Sequence, residues 1–191
     1  MKAIRFHTYG DSSVLKYEDV PIPEIGPGEV LIKVHAAGVN PVDWKIRKGY
    51  LQGFLPYQLP LIPGWDTAGT VARAGALVTR FNASDQVFSR PDIARDGAYA
   101  EYIAVRTDEV ASAPRSIPLE HAAGVPLAAL TAWMALFDKA NLRADQSVLI
   151  HAASGGVGRF AVQLAKLAGA RVIGTTSPAK VSPTYMQWRV I

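Results

Sequence analysis

Apolar and polar positions along this chain follow two regimes that change near Pro118. Up to that point the apolar residues come in short alternating runs separated by Gly- and Pro-rich turns. Residues 2–6 and 14–20 predict two strands, with a polar turn at Tyr9-Gly10-Asp11-Ser12 between them. Residues 21–28, Pro-Ile-Pro-Glu-Ile-Gly-Pro-Gly, make a stiff connector. Residues 29–36 then alternate, with Val30, Ile32 and Val34 inward and Lys33 and His35 outward. Asn40-Pro41 opens a short helix over 40–49, Asn40 as N-cap and Pro41 in the first turn. Residues 61–72 predict a loop entering a strand, 81–88 a turn and strand, and 97–105 a further strand. A β-rich first domain, residues 1–118, a small barrel or sandwich, follows from this spacing.

Beyond Pro118 the period lengthens. Residues 120–140 read as helix broken at Pro126, with Leu130, Trp133, Met134 and Phe137 on its apolar face. Val148-Leu149-Ile150 is a short apolar run suited to a strand buried on both faces. A turn of small residues, Ala153-Ser154-Gly155-Gly156-Val157-Gly158, comes next. Val157, Ala161, Leu164, Ala165 and Ala168 then recur at helical spacing up to Gly169, a fitting C-cap, and residues 170–174 begin another strand. The sum is one strand–turn–helix–strand crossover of a parallel sheet. Residues 119–180 are expected to form a partial dinucleotide-binding domain, with 181–191 an atypical tail.

The turn carries the first candidate chemistry. Glycines let the backbone approach a pyrophosphate, and the amides that open the following helix receive its charge. Ala153 stands where the first glycine of G-x-G-x-x-G would be. Dinucleotide preference is set at the end of the second strand, where NAD sites place an Asp or Glu against the ribose 2′-hydroxyl. Here Gly174-Thr175-Thr176-Ser177-Pro178-Ala179-Lys180 holds hydroxyls and a cation but no carboxylate, which favours NADP(H) with Thr175, Ser177 and Lys180 as contacts.

Composition narrows the class. Of 191 residues 49% are hydrophobic and 19% charged, enough apolar material for a packed core. No apolar run approaches the ~20 residues of a membrane span, and the N-terminus runs straight into a strand, so neither a membrane partner nor a signal peptide is expected. The chain has no cysteine, which excludes disulfides and thiolate metal sites and suits a cytoplasmic location. A net charge of +4 comes from scattered Lys and Arg without a basic block, so nucleic acid is not an expected partner.

Five segments in order resemble the medium-chain dehydrogenase/reductase superfamily, in its zinc-independent, quinone oxidoreductase-like branch. They are Ala-Ala-Gly-Val-Asn-Pro-Val-Asp (36–43), Pro-Gly-Trp-Asp-Thr-Ala-Gly (63–69), Gly-Ala-Tyr-Ala-Glu-Tyr (97–102), Pro-Leu-Ala-Ala-Leu-Thr-Ala-Trp (126–133) and Ala-Ser-Gly-Gly-Val-Gly (153–158). The resemblance implies a GroES-like β-barrel domain followed by a Rossmann domain, a doubly wound parallel sheet that is incomplete here. It implies NADPH-dependent hydride transfer to a quinone or α,β-unsaturated carbonyl, a reaction of the EC 1.6.5 type. By the same resemblance Asn40 and Asp43 line the substrate site and Thr131 meets the nicotinamide end of the cofactor. Tyr50 is a candidate proton donor. Zinc-dependent relatives use Cys and His ligands. Asn40 stands at the Cys position and Gly64-Trp65-Asp66 replaces Gly-His-Glu, so no metal is expected.

A doubly wound domain carries about six parallel strands, and only two are legible before the chain stops. The expectation is a C-terminally truncated chain whose uncovered apolar faces impair catalysis or favour pairing, a homodimer among the options. The alternative function is a non-catalytic nucleotide-binding or interaction remnant of such an enzyme.

Overall fold

The computed structural model describes residues 1–177; Lys180 and the 181–191 tail lie outside the described residues. The chain divides into two compact units, one running Met1–Leu127 and the other starting at Ala128.

In the first unit β1 (Lys2–Phe6) and β2 (Leu15–Asp19) form an antiparallel hairpin. β3 (Glu29–Ala37), β4 (Thr67–Ala74), β5 (Gln86–Ser89), β6 (Tyr102–Arg106) and β7 (Val110–Ser112) make a curled antiparallel sheet ordered β6-β3-β4-β5-β7. Each strand turns alternate side chains to one side. Val30 and Ile32 from β3, Val71 from β4, Val87 from β5, Ile103 and Val105 from β6 and Val110 from β7 gather with Phe81 into one buried cluster. This convergence of inward positions from all five strands makes the sheet wrap around a core of its own. β3 follows the expected phase, with Lys33 and His35 exposed; Val34 is half-buried.

Residues 97–105 depart from the expected strand, which begins only at Tyr102. The amides of Gly97, Ala98 and Tyr99 donate instead to the carbonyls of Ile62, Gly64 and Pro63. Two loops are thereby stitched together, and both also bond to β1, through Tyr99 O with the Ile4 amide and through Leu61 with Phe6.

α1 (Pro41–Arg47) opens at Asn40 as expected. α2 (Leu119–Ala122) packs on β3 and β4 of the first unit, although its sequence groups it with the helical half. α3 (Pro126–Trp133) begins at Pro126, whose missing N–H costs nothing in a first turn, and continues as a π-helical stretch over Met134–Lys139. The face this helix buries is not the expected one. Ala128, Ala132 and Leu136 are buried, four apart, whereas Leu130, Trp133 and Met134 are each about half exposed. Alanines allow the closer helix approach, which turns the bulky residues outward.

In the second unit β8 (Ser147–Ile150), α4 (Gly156–Leu167) and β9 (Arg171–Gly174) form the expected parallel crossover, closed by Gly169 at φ +79°. Ile150 and Val172 join Ala132, Leu136, Ala161, Val162 and Ala165 in its core. β8 is covered on one face only among the described residues. Leu149 is 55% exposed, which corrects the expectation of burial on both faces.

Candidate active site

The loop between β8 and α4 has a strained, specific shape. Ala152 takes the left-handed conformation at φ 52°, uncommon for a residue with a Cβ. Flanking hydrogen bonds over-determine it: Thr175 N–H donates to Ile150 O at 3.0 Å, Ala153 N–H to Thr175 O at 2.9 Å and Gly155 N–H to Ala152 O at 2.8 Å. Ala153, in place of the first glycine, is buried and faces Gly174, where a Cβ would come within 2.8 Å of the Ala153 methyl.

The two following glycines do different work. A Cβ on Gly158 would sit 2.3 Å from Ala152 O and 2.8 Å from Ala153 Cα, so only glycine lets α4 lie this close to the loop. A Cβ on Gly156 would meet nothing within 4 Å. Packing therefore does not require Gly156 to be glycine, and the open space lies where α4 presents first-turn amides with no intrahelical acceptor. Ser154 Oγ and Thr176 Oγ1 hydrogen-bond at 2.6 Å, and His151 Nδ1 and Thr175 Oγ1 lie 3.2 Å apart. Val157 and Ser177 are exposed. The loop thus brings Ala153 to Gly158 together with Thr175 and Thr176. The geometry fits a diphosphate-bearing cofactor: an amide-lined bend with room beside Gly156, and hydroxyls at the end of β9.

In the first unit a buried polar network surrounds Asn40. Its backbone N–H donates to Asp43 Oδ2 at 2.7 Å, anchoring the first turn of α1. Its side-chain Nδ2 donates to Asp66 Oδ2 at 3.1 Å. Asp66 is fully buried, and its Oδ1 accepts the Leu127 amide at 3.2 Å. Asp43 is 5% exposed; its Oδ2 also accepts the Tyr99 hydroxyl at 2.8 Å, while its Oδ1 has no partner. Burial pushes the Asp66 carboxyl up to about 6, against the pull of Asn40 and the Leu127 amide and with further help from Asp43. Burial also raises Asp43, opposed by the Asn40 amide, the Tyr99 hydroxyl and the Trp65 amide. The Tyr99 phenol is raised by burial and by its bond to Asp43, so it serves as a neutral donor. One carboxyl that titrates near neutrality thereby holds a carboxamide in place.

Asp66 and Tyr99 are absent from the residues singled out in the sequence. Asp66 had a signal, a lone carboxylate inside the apolar stretch 61–72. Tyr99 lay in the segment 97–102, but nothing there pointed to Asp43, because its position follows from the stitching of two loops distant in sequence. Gly64 makes that stitching possible: its φ is +93°, and a Cβ there would fall 2.3 Å from the Tyr99 ring. Of the other candidates, Tyr50 is 62% exposed and lies edge-on to Trp44, with no hydrogen bond to Asn40 or Asp43, and Thr131 is exposed on α3. Among the described residues no group of three or more His, Cys, Asp or Glu side chains could hold a metal ion, and no helix is long and apolar enough to cross a membrane.

Residues 26–115 match the alcohol dehydrogenase GroES-like domain. A chloroplastic quinone-oxidoreductase homolog of Spinacia oleracea is 43% identical over 181 residues, covering 92% of this chain and 55% of that protein. The solved quinone oxidoreductase of Coxiella burnetii superposes with a TM-score of 0.86 at 40% identity, over 94% of this chain and 57% of its own. That of Escherichia coli, solved in complex with NADPH, gives 0.85 at 32% identity over 100% and 58%. The chain therefore spans little more than half the length of these relatives. With its GroES-like domain, its βαβ unit and these likenesses, the chain is similar to quinone oxidoreductases of the medium-chain dehydrogenase/reductase superfamily.

Proposed function

We propose that this chain binds NADPH through the β8–α4 loop and serves zinc-free hydride transfer to a quinone or an α,β-unsaturated carbonyl. The observation that carries the reading is the contrast between Gly158, glycine because the backbone is packed against it, and Gly156, glycine beside open space. The amides of Ser154 and of residues 156–158 hold the diphosphate, and Thr175 and Ser177 meet the 2′-phosphate in a stretch, 174–180, without Asp or Glu. The cofactor, when bound, supplies the hydride. Asn40 carries a second Nδ2 proton besides the one given to Asp66, and directs it at the substrate carbonyl. Asp66 orients that amide, and Asp43 with Tyr99 holds the turn that presents it. The donor set here is amide and carboxyl without Cys or His, which suits hydrogen-bond polarisation better than zinc. A chain without cysteine suits a reducing compartment such as the cytoplasm.

Consumption of NADPH with 1,4-benzoquinone, compared with NADH and with Gly156→Asp, tests this. NADPH-selective turnover abolished by Gly156→Asp is the expected result; equal negligible rates in both proteins refute it. One observation favours a second reading, a non-catalytic remnant that pairs with another copy: Leu149 on β8 and Leu167 on α4 are 55% and 86% exposed. Concentration-dependent dimerisation without turnover is its signature.

A further inference from the structure

Residues 44–65 contain no Asp or Glu, yet carry Lys45, Arg47 and Lys48 at their start. The same stretch exposes three aromatics: Trp44 at 41%, Tyr50 at 62% and Phe54 at 84%. They are not misplaced core. α1 buries Asp43 and Ile46, and Ile46 sits with Phe6, Leu61 and Trp65 in a filled cluster. Trp44, Lys45 and Lys48 therefore occupy the outward side of a helix whose inward side is satisfied.

Trp44 is held between one ring and two cations. Trp44 and Tyr50 meet edge-on with centroids 5.7 Å apart, and the Lys45 and Lys48 ammoniums lie 5.8 and 5.7 Å from the Trp44 ring. Phe54 follows in the turn where its N–H donates to Leu51 O. None of the three cations forms an ion pair among the described residues. Asp11, whose carboxyl Arg47 and Lys48 help to lower, already accepts from the Ser13 amide and hydroxyl. Single exposed apolar residues need no explanation, but three exposed aromatics within eleven positions, the first flanked by two lysines, do.

We propose that this surface docks on an anionic lipid bilayer. Amphipathic rings rest at headgroup level while Lys45 and Lys48 reach lipid phosphates, the arrangement of interfacial anchors. The contact lies on the membrane, so it needs no spanning helix. Charge complementarity selects this occupant: Lys45 and Lys48 are exposed and form no ion pair among the described residues. A stacked nucleobase is disfavoured because two ammoniums already crowd the Trp44 ring. The proposal is independent of turnover.

Co-sedimentation with phosphatidylcholine vesicles, with and without phosphatidylglycerol, tests it. Binding is expected only to the anionic vesicles, falling with added salt. Chain-brominated lipid should quench fluorescence in the parent chain more than in Trp44→Phe. At about 1 kcal/mol per cation, roughly fivefold each, Lys45→Ser/Lys48→Ser lowers partitioning by about 25-fold, with circular dichroism confirming the fold. Equal binding to neutral vesicles, unchanged partitioning in the double variant, or RNA binding as tight as vesicle binding overturns the proposal. So does a Trp44→Ala change confined to the KM for 1,4-benzoquinone.

Discussion

The two glycines that open α4 make a sharp test, because alanine at each position should separate stability from binding. At Gly158 the new methyl would lie 2.3 Å from Ala152 O and 2.9 Å from Ala153 C, both backbone atoms of a loop tied by three hydrogen bonds. Neither can swing aside as a side-chain tip would, so α4 must move away from β8. Overpacking of this kind costs about 1–3 kcal/mol. At Gly156 the same methyl meets nothing within 4 Å. There the free chain loses entropy and helix propensity improves, for a gain of up to about 1 kcal/mol. A diphosphate seated on the loop amides would, however, meet that methyl at contact distance. Loss of one close charge-assisted hydrogen bond is worth about 1.5–3 kcal/mol, or roughly 10- to 150-fold in NADPH affinity. Urea midpoints followed by far-ultraviolet circular dichroism measure the first effect, and NADPH fluorescence titration the second. Gly156→Ala should keep or raise the midpoint and lose the cofactor. If it binds NADPH as tightly as the parent chain, the space beside Gly156 is not a phosphate site, and the reasoning fails.

Three further outcomes follow from the buried network. Gly64→Ala forces a Cβ at φ +93° into the Tyr99 ring and should destabilise the first unit by about 3 kcal/mol or more, read as a lower melting temperature. Asp66, raised to about 6 from an ordinary carboxyl value of 3.8, binds its proton more tightly in the folded chain. Its contribution is thus present below pH about 4 and lost as pH rises through about 6, near 3 kcal/mol in all; urea midpoints of Asp66→Asn should lose that slope, and an unchanged slope would show another group responsible. Tyr99→Phe removes a donor from Asp43 Oδ2 and should cost about 1–3 kcal/mol while raising the Asp43 carboxyl further, seen by carbon-13 NMR titration of that side chain.

Local signals carried much of this molecule. β1 and α1 begin where alternation and the Asn40-Pro41 pair place them, and the β8–α4–β9 crossover is legible because strand period, small-residue turn and helix period adjoin in one continuous segment. Such features depend on neighbours a few positions apart. Which side of an element is covered depends on residues far away. Leu130, Trp133 and Met134 share an apolar stripe with Phe137 in sequence, but the alanines beside them permit closer packing and took the buried side. Leu149 is exposed for a related reason, since periodicity shows that a strand is apolar but not what covers it.

The sequence by itself determined the glycine-rich bend, the hydroxyl-lined end of β9 and the cap that opens α1, each written in consecutive residues. Only the tertiary structure decided that Asp66 and Tyr99 converge on Asn40 and Asp43, across separations of 26 and 56 positions. It decided as well that Asp66 is fully desolvated and so titrates near neutrality. A pKa depends on the dielectric and the partners around a group, and both exist only once the loops at Gly64 and Gly97 are bonded together.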